Sequence, residues 1–172
     1  RPLGELMGAE IEGLNLSEAL NATTINEILD AFLDHHVLVF RNQNLTKDAQ
    51  LAFTKYFGEP EDHVHRTPSG KILPPVHIVN NLDPSGKPTS KPYTTGNYHW
   101  HTDKSYHAVP SLATLLHAIE LPPAGGDTLF ANTRRGYETL PEETKQRIAN
   151  FRVVHSWEAS RRNTGNAPAT EA

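Results

Sequence analysis

The chain contains no cysteine among its 172 residues. Disulfide bonds and thiolate metal sites are therefore excluded, and any metal ion must be held by histidine, aspartate or glutamate. The absence of cysteine does not identify a compartment, because reducing and oxidising compartments both contain cysteine-free proteins.

Long apolar runs are absent as well. No segment reaches the roughly 18–20 apolar residues that span a bilayer, and the first residues lack the basic-then-apolar order of a signal peptide. The 16 basic and 20 acidic residues leave a net charge of −4, which argues against binding to nucleic acid or to an anionic membrane. We therefore expect a cytoplasmic protein with neither nucleic acid nor membrane as a partner.

Histidine, by contrast, is concentrated in one part of the chain. Seven of the ten histidines lie between positions 63 and 117, namely His63, His65, His77, His99, His101, His107 and His117. A single histidine in a strand or loop usually makes only hydrogen bonds. The clustering nevertheless indicates the middle of the chain as the place for chemistry.

Within this region, His101 and Asp103 form a His-x-Asp triplet. Alternate residues of an extended strand point to the same face, so the imidazole and the carboxylate can both contact one divalent metal ion. A second histidine would complete the two-histidine, one-carboxylate site of non-haem Fe(II) oxygenases.

The triplet by itself is common by chance and leaves other interpretations open. A zinc-dependent hydrolase could use the same pair together with His99 or His107, although three successive ligands on one face of a strand rarely converge. A non-catalytic jelly-roll binding module is the third alternative. Metal analysis would distinguish the three.

Hydrophobic periodicity predicts helices early in the chain and strands later. Helices are expected from Thr23 or Thr24 to about His36, from Thr46 to Gly58, and from Pro141 to about Ala149. The predicted strands are residues 9–14, 37–40, 76–79, 100–105, 113–120, 127–131 and 151–157.

This order predicts a mainly β (α+β) fold, an antiparallel jelly roll with helices packed outside. About four strands follow Trp100, whereas a jelly roll closes with about eight. We therefore expect residues 1–172 to be a single domain that is incomplete at its carboxyl end.

Residues 83–97 carry three prolines, two glycines and almost no apolar side chain. Such a segment cannot bury itself and is expected to be a surface loop. Because it leads directly into the His-x-Asp segment, it is a candidate active-site lid. An ordinary surface connection explains it equally well.

Several stretches match a known family in order along nearly the whole chain. The most specific are Trp100-His101-Thr102-Asp103 and, about twenty residues later, Gly125-Gly126-Asp127-Thr128. The others are residues 8–13, 37–43, 57–59, 137–140 and 154–156. On these residues the chain resembles the taurine/2,4-D dioxygenase family of Fe(II)- and 2-oxoglutarate-dependent oxygenases.

The resemblance implies a double-stranded β-helix (jelly roll) with flanking helices, of which this chain holds the amino-terminal portion. It implies hydroxylation of a small organic anion, an alkyl sulfonate, alkyl sulfate or aryloxyalkanoate, with release of succinate and CO2. The implied cofactors are Fe(II), 2-oxoglutarate as co-substrate, and O2. We also expect a homo-oligomer, either a dimer or a tetramer.

The resemblance also implies roles for individual residues. His101 and Asp103 match the first two iron ligands, and Thr128 matches a threonine that binds a carboxylate of 2-oxoglutarate. Asn97 matches a residue lining the pocket of substrate and co-substrate, and His63 or His65 falls where relatives bind the anionic group of the substrate.

Relatives carry a second metal-binding histidine and a 2-oxoglutarate-binding arginine far downstream, beyond Ala172. His155 is the one late histidine of this chain, and it matches a family position that is not a ligand. We therefore expect the third ligand to lie outside these 172 residues.

Overall fold

The computed structural model describes residues 1–60, 74–83, 85–89 and 99–163. The chain divides into two compact units. The first comprises Arg1–Val76 and Leu115–Asn150, and the second comprises His77–Thr114 and Phe151–Ala172. The segments of the two units therefore alternate along the chain, and residues 77–114 of the second unit lie, in chain order, between the two parts of the first.

The first unit begins with a strand–helix–strand arrangement. Strand β1 (Ala9–Ile11) and strand β2 (Leu38–Phe40) are joined through helix α1 (Ala22–His35). The two strands run parallel, with Ala9 opposite Leu38, as expected when a helix forms the crossover. The strands predicted at 9–14 and 37–40 are thus confirmed with shorter bounds.

The N-cap of helix α1 lies two or three residues earlier in the sequence than predicted. The side chain of Asn21 accepts a hydrogen bond from the backbone N–H of Thr24 at 2.9 Å, so Asn21 is the N-cap and the prediction of Thr23 or Thr24 was wrong. Asparagine is among the best N-cap residues. The helix ends where His36 adopts a left-handed conformation, with φ of 64°.

Helix α2 (Lys47–Thr54) has the predicted cap. Thr46 Oγ1 accepts a hydrogen bond from the backbone N–H of Ala49 at 3.1 Å. The helix ends at Thr54 rather than continuing to Gly58, because the chain passes through turns before Gly58, which has φ of 145°.

A small apolar core holds these elements together. Its buried members are Leu16, Ile28 and Phe53. Partly buried residues packed around them are Leu14, Leu20, Leu38, Phe40, Leu45, Phe57 and Leu115. The Phe53 ring meets the Phe40 and Phe57 rings edge-on, with centroids 5.8 and 5.3 Å away, a favourable aromatic geometry.

The carboxyl-terminal part of the first unit contains helix α3 (Thr133–Glu138) and helix α4 (Glu142–Ile148). Helix α4 was predicted and is confirmed, with Pro141 at its cap position. Helix α3 was not predicted, since Gly136 and a short length conceal its periodicity. Its start is set by the Asn132 side chain, which accepts a hydrogen bond from the Arg135 N–H at 2.9 Å.

The later predicted strands are not formed in the described residues. Residues 76–79, 100–105, 113–120 and 127–131 contain no regular strand, and the end of 151–157 begins helix α5 (Trp157–Asn163) instead. A strand is stable only when a neighbouring strand pairs with its backbone groups, and within the described part of the chain these segments have no such neighbour. None of the described helices has the length and apolar character needed to cross a membrane.

Candidate metal centre

His101 and Asp103 lie together in the second unit. The His101 Nε2 and Asp103 Oδ1 atoms are 3.4 Å apart. The backbone between them does not form the predicted strand. A turn instead starts at Asp103 and continues through Lys104, whose φ is 53°. The structure thus brings the two side chains together through a backbone conformation other than the predicted one, and their role as metal ligands stays a prediction.

The other ring nitrogen of His101 has a fixed partner. His101 Nδ1 lies 2.7 Å from the backbone carbonyl oxygen of His99. A carbonyl oxygen can only accept, so Nδ1 carries the proton of the neutral ring and Nε2 presents its lone pair. Metal-binding histidines are commonly oriented by such a bond on their second nitrogen.

The carboxylate is oriented in a comparable way. Thr114 Oγ1 donates a hydrogen bond to Asp103 Oδ2 at 3.2 Å. The remaining oxygen, Oδ1, is the one that faces His101 Nε2. No sequence pattern predicts this contact, since Thr114 is 11 positions from Asp103 and belongs to no motif.

The geometry of the pair fits a divalent metal ion. Two ligand atoms at about 2.1 Å from a metal and at right angles to each other lie about 3 Å apart, close to the observed 3.4 Å. The His101 and Asp103 side chains are 49% and 58% exposed, so a metal ion and small ligands can reach them. Nitrogen and oxygen donors of this kind suit Fe(II).

No third metal ligand joins this pair among the residues that the structure describes. The His155 Nδ1 atom lies 2.9 Å from Ser105 Oγ, and the assignment of His155 as a position that is not a ligand stays a prediction. The ligand roles of His101 and Asp103, and the third ligand, therefore remain predictions.

The other predicted site residues are described separately or not at all. Thr128 is exposed and belongs to the first unit, and its role toward 2-oxoglutarate stays a prediction. Asn97, His63 and His65 lie outside the described residues.

Two consecutive glycines fix the turn that precedes Thr128. Gly125 and Gly126 have φ of 75° and 74°, a left-handed conformation that other residues rarely adopt. A Cβ atom at Gly126 would also lie 3.3 Å from Pro122 Cγ. These glycines therefore allow the chain to turn just before Thr128.

The start of the candidate lid forms a hydrogen-bonded turn. Asp83 Oδ1 accepts hydrogen bonds from the backbone N–H groups of Ser85 and Lys87 at 2.8 and 2.9 Å. The bond from Lys87 is the largest cause that lowers the pKa of the Asp83 carboxyl. The Asp83 N–H in turn donates to the Lys87 carbonyl oxygen at 2.8 Å.

Solved structures resemble this chain over nearly its whole length. AAD-2 in complex with Mn(II) and N-oxalylglycine matches with a TM-score of 0.75 and 31% identity, covering 99% of this chain and 61% of that one. A putative alpha-ketoglutarate-dependent 2,4-D dioxygenase from Burkholderia xenovorans matches with a TM-score of 0.72 and 28% identity, covering 98% and 57%.

Curated relatives are similar to a comparable degree. The alpha-ketoglutarate-dependent 2,4-dichlorophenoxyacetate dioxygenase of Cupriavidus pinatubonensis is 32% identical, over 99% of this chain and 62% of the relative. The alkylsulfatase of Acinetobacter baylyi is 36% identical, over 91% and 46%. The chain thus spans about half to three-fifths of these relatives. The family model described as taurine catabolism dioxygenase TauD, TfdA family matches residues 1–172.

Proposed function

The chain belongs to the taurine catabolism dioxygenase TauD, TfdA family, and from that membership we propose an Fe(II)- and 2-oxoglutarate-dependent dioxygenase. Its proposed reaction is hydroxylation of a small organic anion, with succinate and CO2 released. The observation that carries the proposal is the His101–Asp103 pair, whose Nε2 and Oδ1 atoms face each other at 3.4 Å.

The substrate class is proposed from the relatives. Those with similar sequences are named for a dichlorophenoxyacetate, for alkyl sulfates and sulfate esters, and for sulfonates. These compounds share a small organic body and one anionic group. We propose that this protein acts on an aryloxyalkanoate, an alkyl sulfate or an alkyl sulfonate.

Each predicted site residue is proposed to bind the metal ion, the co-substrate or the substrate. His101 and Asp103 would hold the iron, and when bound the iron supplies the redox centre at which O2 and 2-oxoglutarate react. The Thr128 hydroxyl would donate to a carboxylate of 2-oxoglutarate. Asn97 and either His63 or His65 would contact the substrate, a role that rests on the family resemblance.

The architecture proposed for the protein is a jelly-roll dioxygenase domain, of which residues 1–172 supply the amino-terminal part. The shares of 61% and 57% that this chain covers of the matching structures support this view. A dimer or tetramer is proposed as its assembly, which sedimentation analysis would test.

Residues 83–97 are proposed as a lid over the site. Their composition and their position just before His101 support this role, and the turn around Asp83 would provide a firm base for it. Hydrogen exchange in this segment should slow when metal, 2-oxoglutarate and substrate are bound. Equal exchange with and without ligands would reduce it to a surface connection.

The function is tested on the full-length protein by anaerobic titration with Fe(II) and 2-oxoglutarate. A screen of succinate release over sulfonates, sulfates and aryloxy acids then identifies the substrate. Asp103→Ala should abolish succinate release and weaken metal binding, because it removes one of two local ligands. Asp30→Ala, an exposed carboxylate on α1, is the matched control.

Two results would contradict the proposal. Substantial 2-oxoglutarate turnover in Asp103→Ala would remove the carboxylate from the metal site. Hydrolysis that requires Zn(II) and proceeds without 2-oxoglutarate would support a zinc hydrolase instead.

A further inference from the structure

We propose that Thr114 is a positioning residue that fixes which oxygen of Asp103 faces the metal. This inference rests on the proposed function in one respect, namely that His101 and Asp103 bind a metal. The supporting observation is the hydrogen bond of 3.2 Å from Thr114 Oγ1 to Asp103 Oδ2.

The two oxygens of a carboxylate are chemically equivalent, and rotation about the last side-chain bond exchanges them easily. The Thr114 hydroxyl removes this equivalence, because it binds Oδ2 and leaves Oδ1 toward His101 Nε2 at 3.4 Å. A carboxylate held in this way binds a metal through one oxygen. Without the Thr114 hydroxyl, the Asp103 carboxylate would rotate freely. Its Oδ1 atom would then no longer be held toward His101 Nε2 in the orientation that binds one metal ion.

Thr114 completes a matched arrangement around the two ligands. The His99 carbonyl oxygen orients the imidazole through Nδ1 at 2.7 Å, and Thr114 orients the carboxylate through Oδ2. In each ligand, the atom that does not face its neighbour has its own hydrogen-bond partner. Only the hydrogen bond from Thr114 can be removed by substitution, because the partner of His101 is a backbone carbonyl.

The effect on the fold is expected to be small. The Asp103 side chain is 58% exposed, so water can replace the hydroxyl in the metal-free protein. Water does not restrict the carboxylate to one orientation, however. Loss of the hydroxyl should therefore change metal affinity and leave the thermal stability of the metal-free protein nearly unaltered.

The test is to titrate Mn(II) alone into the full-length protein and to measure its affinity by calorimetry. Thr114→Val keeps the shape and removes the hydroxyl, and it should weaken Mn(II) binding by about 10- to 100-fold, the usual effect of losing an outer-shell partner. Thr114→Ser keeps a hydroxyl and should restore affinity. Thr133→Val, an exposed threonine of the first unit, should bind Mn(II) as the wild type does.

The outcomes separate this inference from the proposed function. Unchanged Mn(II) affinity in Thr114→Val, with loss of affinity in Asp103→Ala, would overturn the inference and leave the function standing. Unchanged affinity in Asp103→Ala would overturn the metal site itself. A further loss on adding Thr114→Val to Asp103→Ala would also refute the positioning role, since the carboxylate it acts on is already gone.

A purely structural role is distinguished by stability. If Thr114→Val lowered the melting temperature of the metal-free protein and Thr114→Ser did not restore Mn(II) affinity, the threonine would be a packing residue. If the valine variant failed to fold, Thr114→Ala would carry the same comparison, with the same two results deciding.

Discussion

Thr128 is the residue whose proposed contact is most easily measured. Thr128→Val should raise the KM for 2-oxoglutarate, because it removes one hydroxyl donor to a charged acceptor and keeps the side-chain shape. The expected loss of about 1.5–3 kcal/mol corresponds to about 10- to 150-fold. Steady-state kinetics with varied 2-oxoglutarate measure it.

Metal affinity is the control for this substitution. Mn(II) binding without 2-oxoglutarate should be the same in Thr128→Val and in the wild type, since Thr128 is not proposed to contact the metal. A KM equal to that of the wild type would make Thr128 a residue of the turn only.

Glu10 is a buried carboxylate on β1, with a side chain only 7% exposed. Its Oε1 atom lies 2.9 Å from Arg41 Nε, and its Oε2 atom contacts Arg1. The hydrogen bond from Arg1 is the largest cause that lowers the pKa of Glu10, and the charges of Arg1 and Arg41 act in the same direction, against burial, which raises it.

The lowered pKa of Glu10 makes stability depend on pH. The ionised group is stabilised in the folded state, so its contribution is complete above the ordinary pKa of 4.5. The contribution is lost as pH falls through the lower folded value. The wild type should therefore lose stability on acidification, whereas Glu10→Gln should show a smaller loss over the same range.

Urea unfolding at several pH values below and above 4.5 measures the Glu10 effect. Glu27→Gln, an exposed glutamate on α1, is the control. Identical pH profiles for Glu10→Gln and the wild type would show that the arginine contacts do not stabilise the fold.

At the scale of elements, the N-cap of α1 is a local determinant of stability. Asn21→Ala should destabilise the protein by about 1 kcal/mol, because the Thr24 N–H loses its acceptor. Thr23→Ala is the matched control, as Thr23 is exposed within the first turn and does not cap the helix. Urea unfolding compares the two, and equal effects would contradict the assignment of the cap.

Local signals in the sequence predicted the early elements well. Thr46 and Pro141 mark the starts of α2 and α4, because a capping hydroxyl and a proline act on residues within one turn. The cap of α1 was misplaced by a few residues, since Asn21 and Thr23 are both suitable cap residues.

Helix α5 shows what the apolar pattern could not reveal. The Ser156 hydroxyl oxygen accepts a hydrogen bond from the Ala159 N–H at 3.2 Å, and the Trp157 ring lies against Tyr106 with centroids 5.0 Å apart. Arg161, one turn later, lies over the same ring at 5.6 Å. Ser156 followed by Glu158 is a signal for the start of a helix, whereas the apolar pattern of residues 151–157 predicts the end of a strand.

In the candidate site, too, contacts between residues close in sequence were easier to predict than contacts between distant residues. The contact between His101 and Asp103 was predictable because the two residues are two positions apart, and their role as metal ligands stays a prediction. Thr114 was not predictable, since a side chain that turns toward Asp103 from 11 positions away leaves no periodic pattern. The prediction of the later strands was wrong for a related reason, since strand pairing depends on partners that are distant in the sequence.

At the scale of the whole molecule, many large apolar side chains are exposed in the segments predicted as strands. They are Ile78, Val79, Trp100, Leu116, Ile119, Leu129, Phe130, Phe151, Val153 and Val154. Leu116 and Ile119 are each 77% exposed. Folded proteins rarely leave so many apolar groups uncovered unless another surface packs on them.

The polypeptide of residues 1–172, expressed by itself, should therefore bind the dye ANS and self-associate. Dye fluorescence and light scattering measure both effects. Replacing Leu116 and Ile119 together by serine should reduce them, because the substitutions remove exposed apolar area without touching the core of Leu16, Ile28 and Phe53. Dye binding as weak as that of a well-packed domain would contradict the expectation.

The position of residues 77–114 between the two parts of the first unit has a consequence for the order of synthesis. Most of the core of the first unit, from Leu14 to Phe57, is made before His101 and Asp103, but Leu115 completes it afterwards. At about 5–20 residues per second on the ribosome, the early part waits about 3–12 s for Leu115 after Phe57 emerges from synthesis. His101 and Asp103 are made within that interval, so both residues exist before Leu115 completes the core of the first unit.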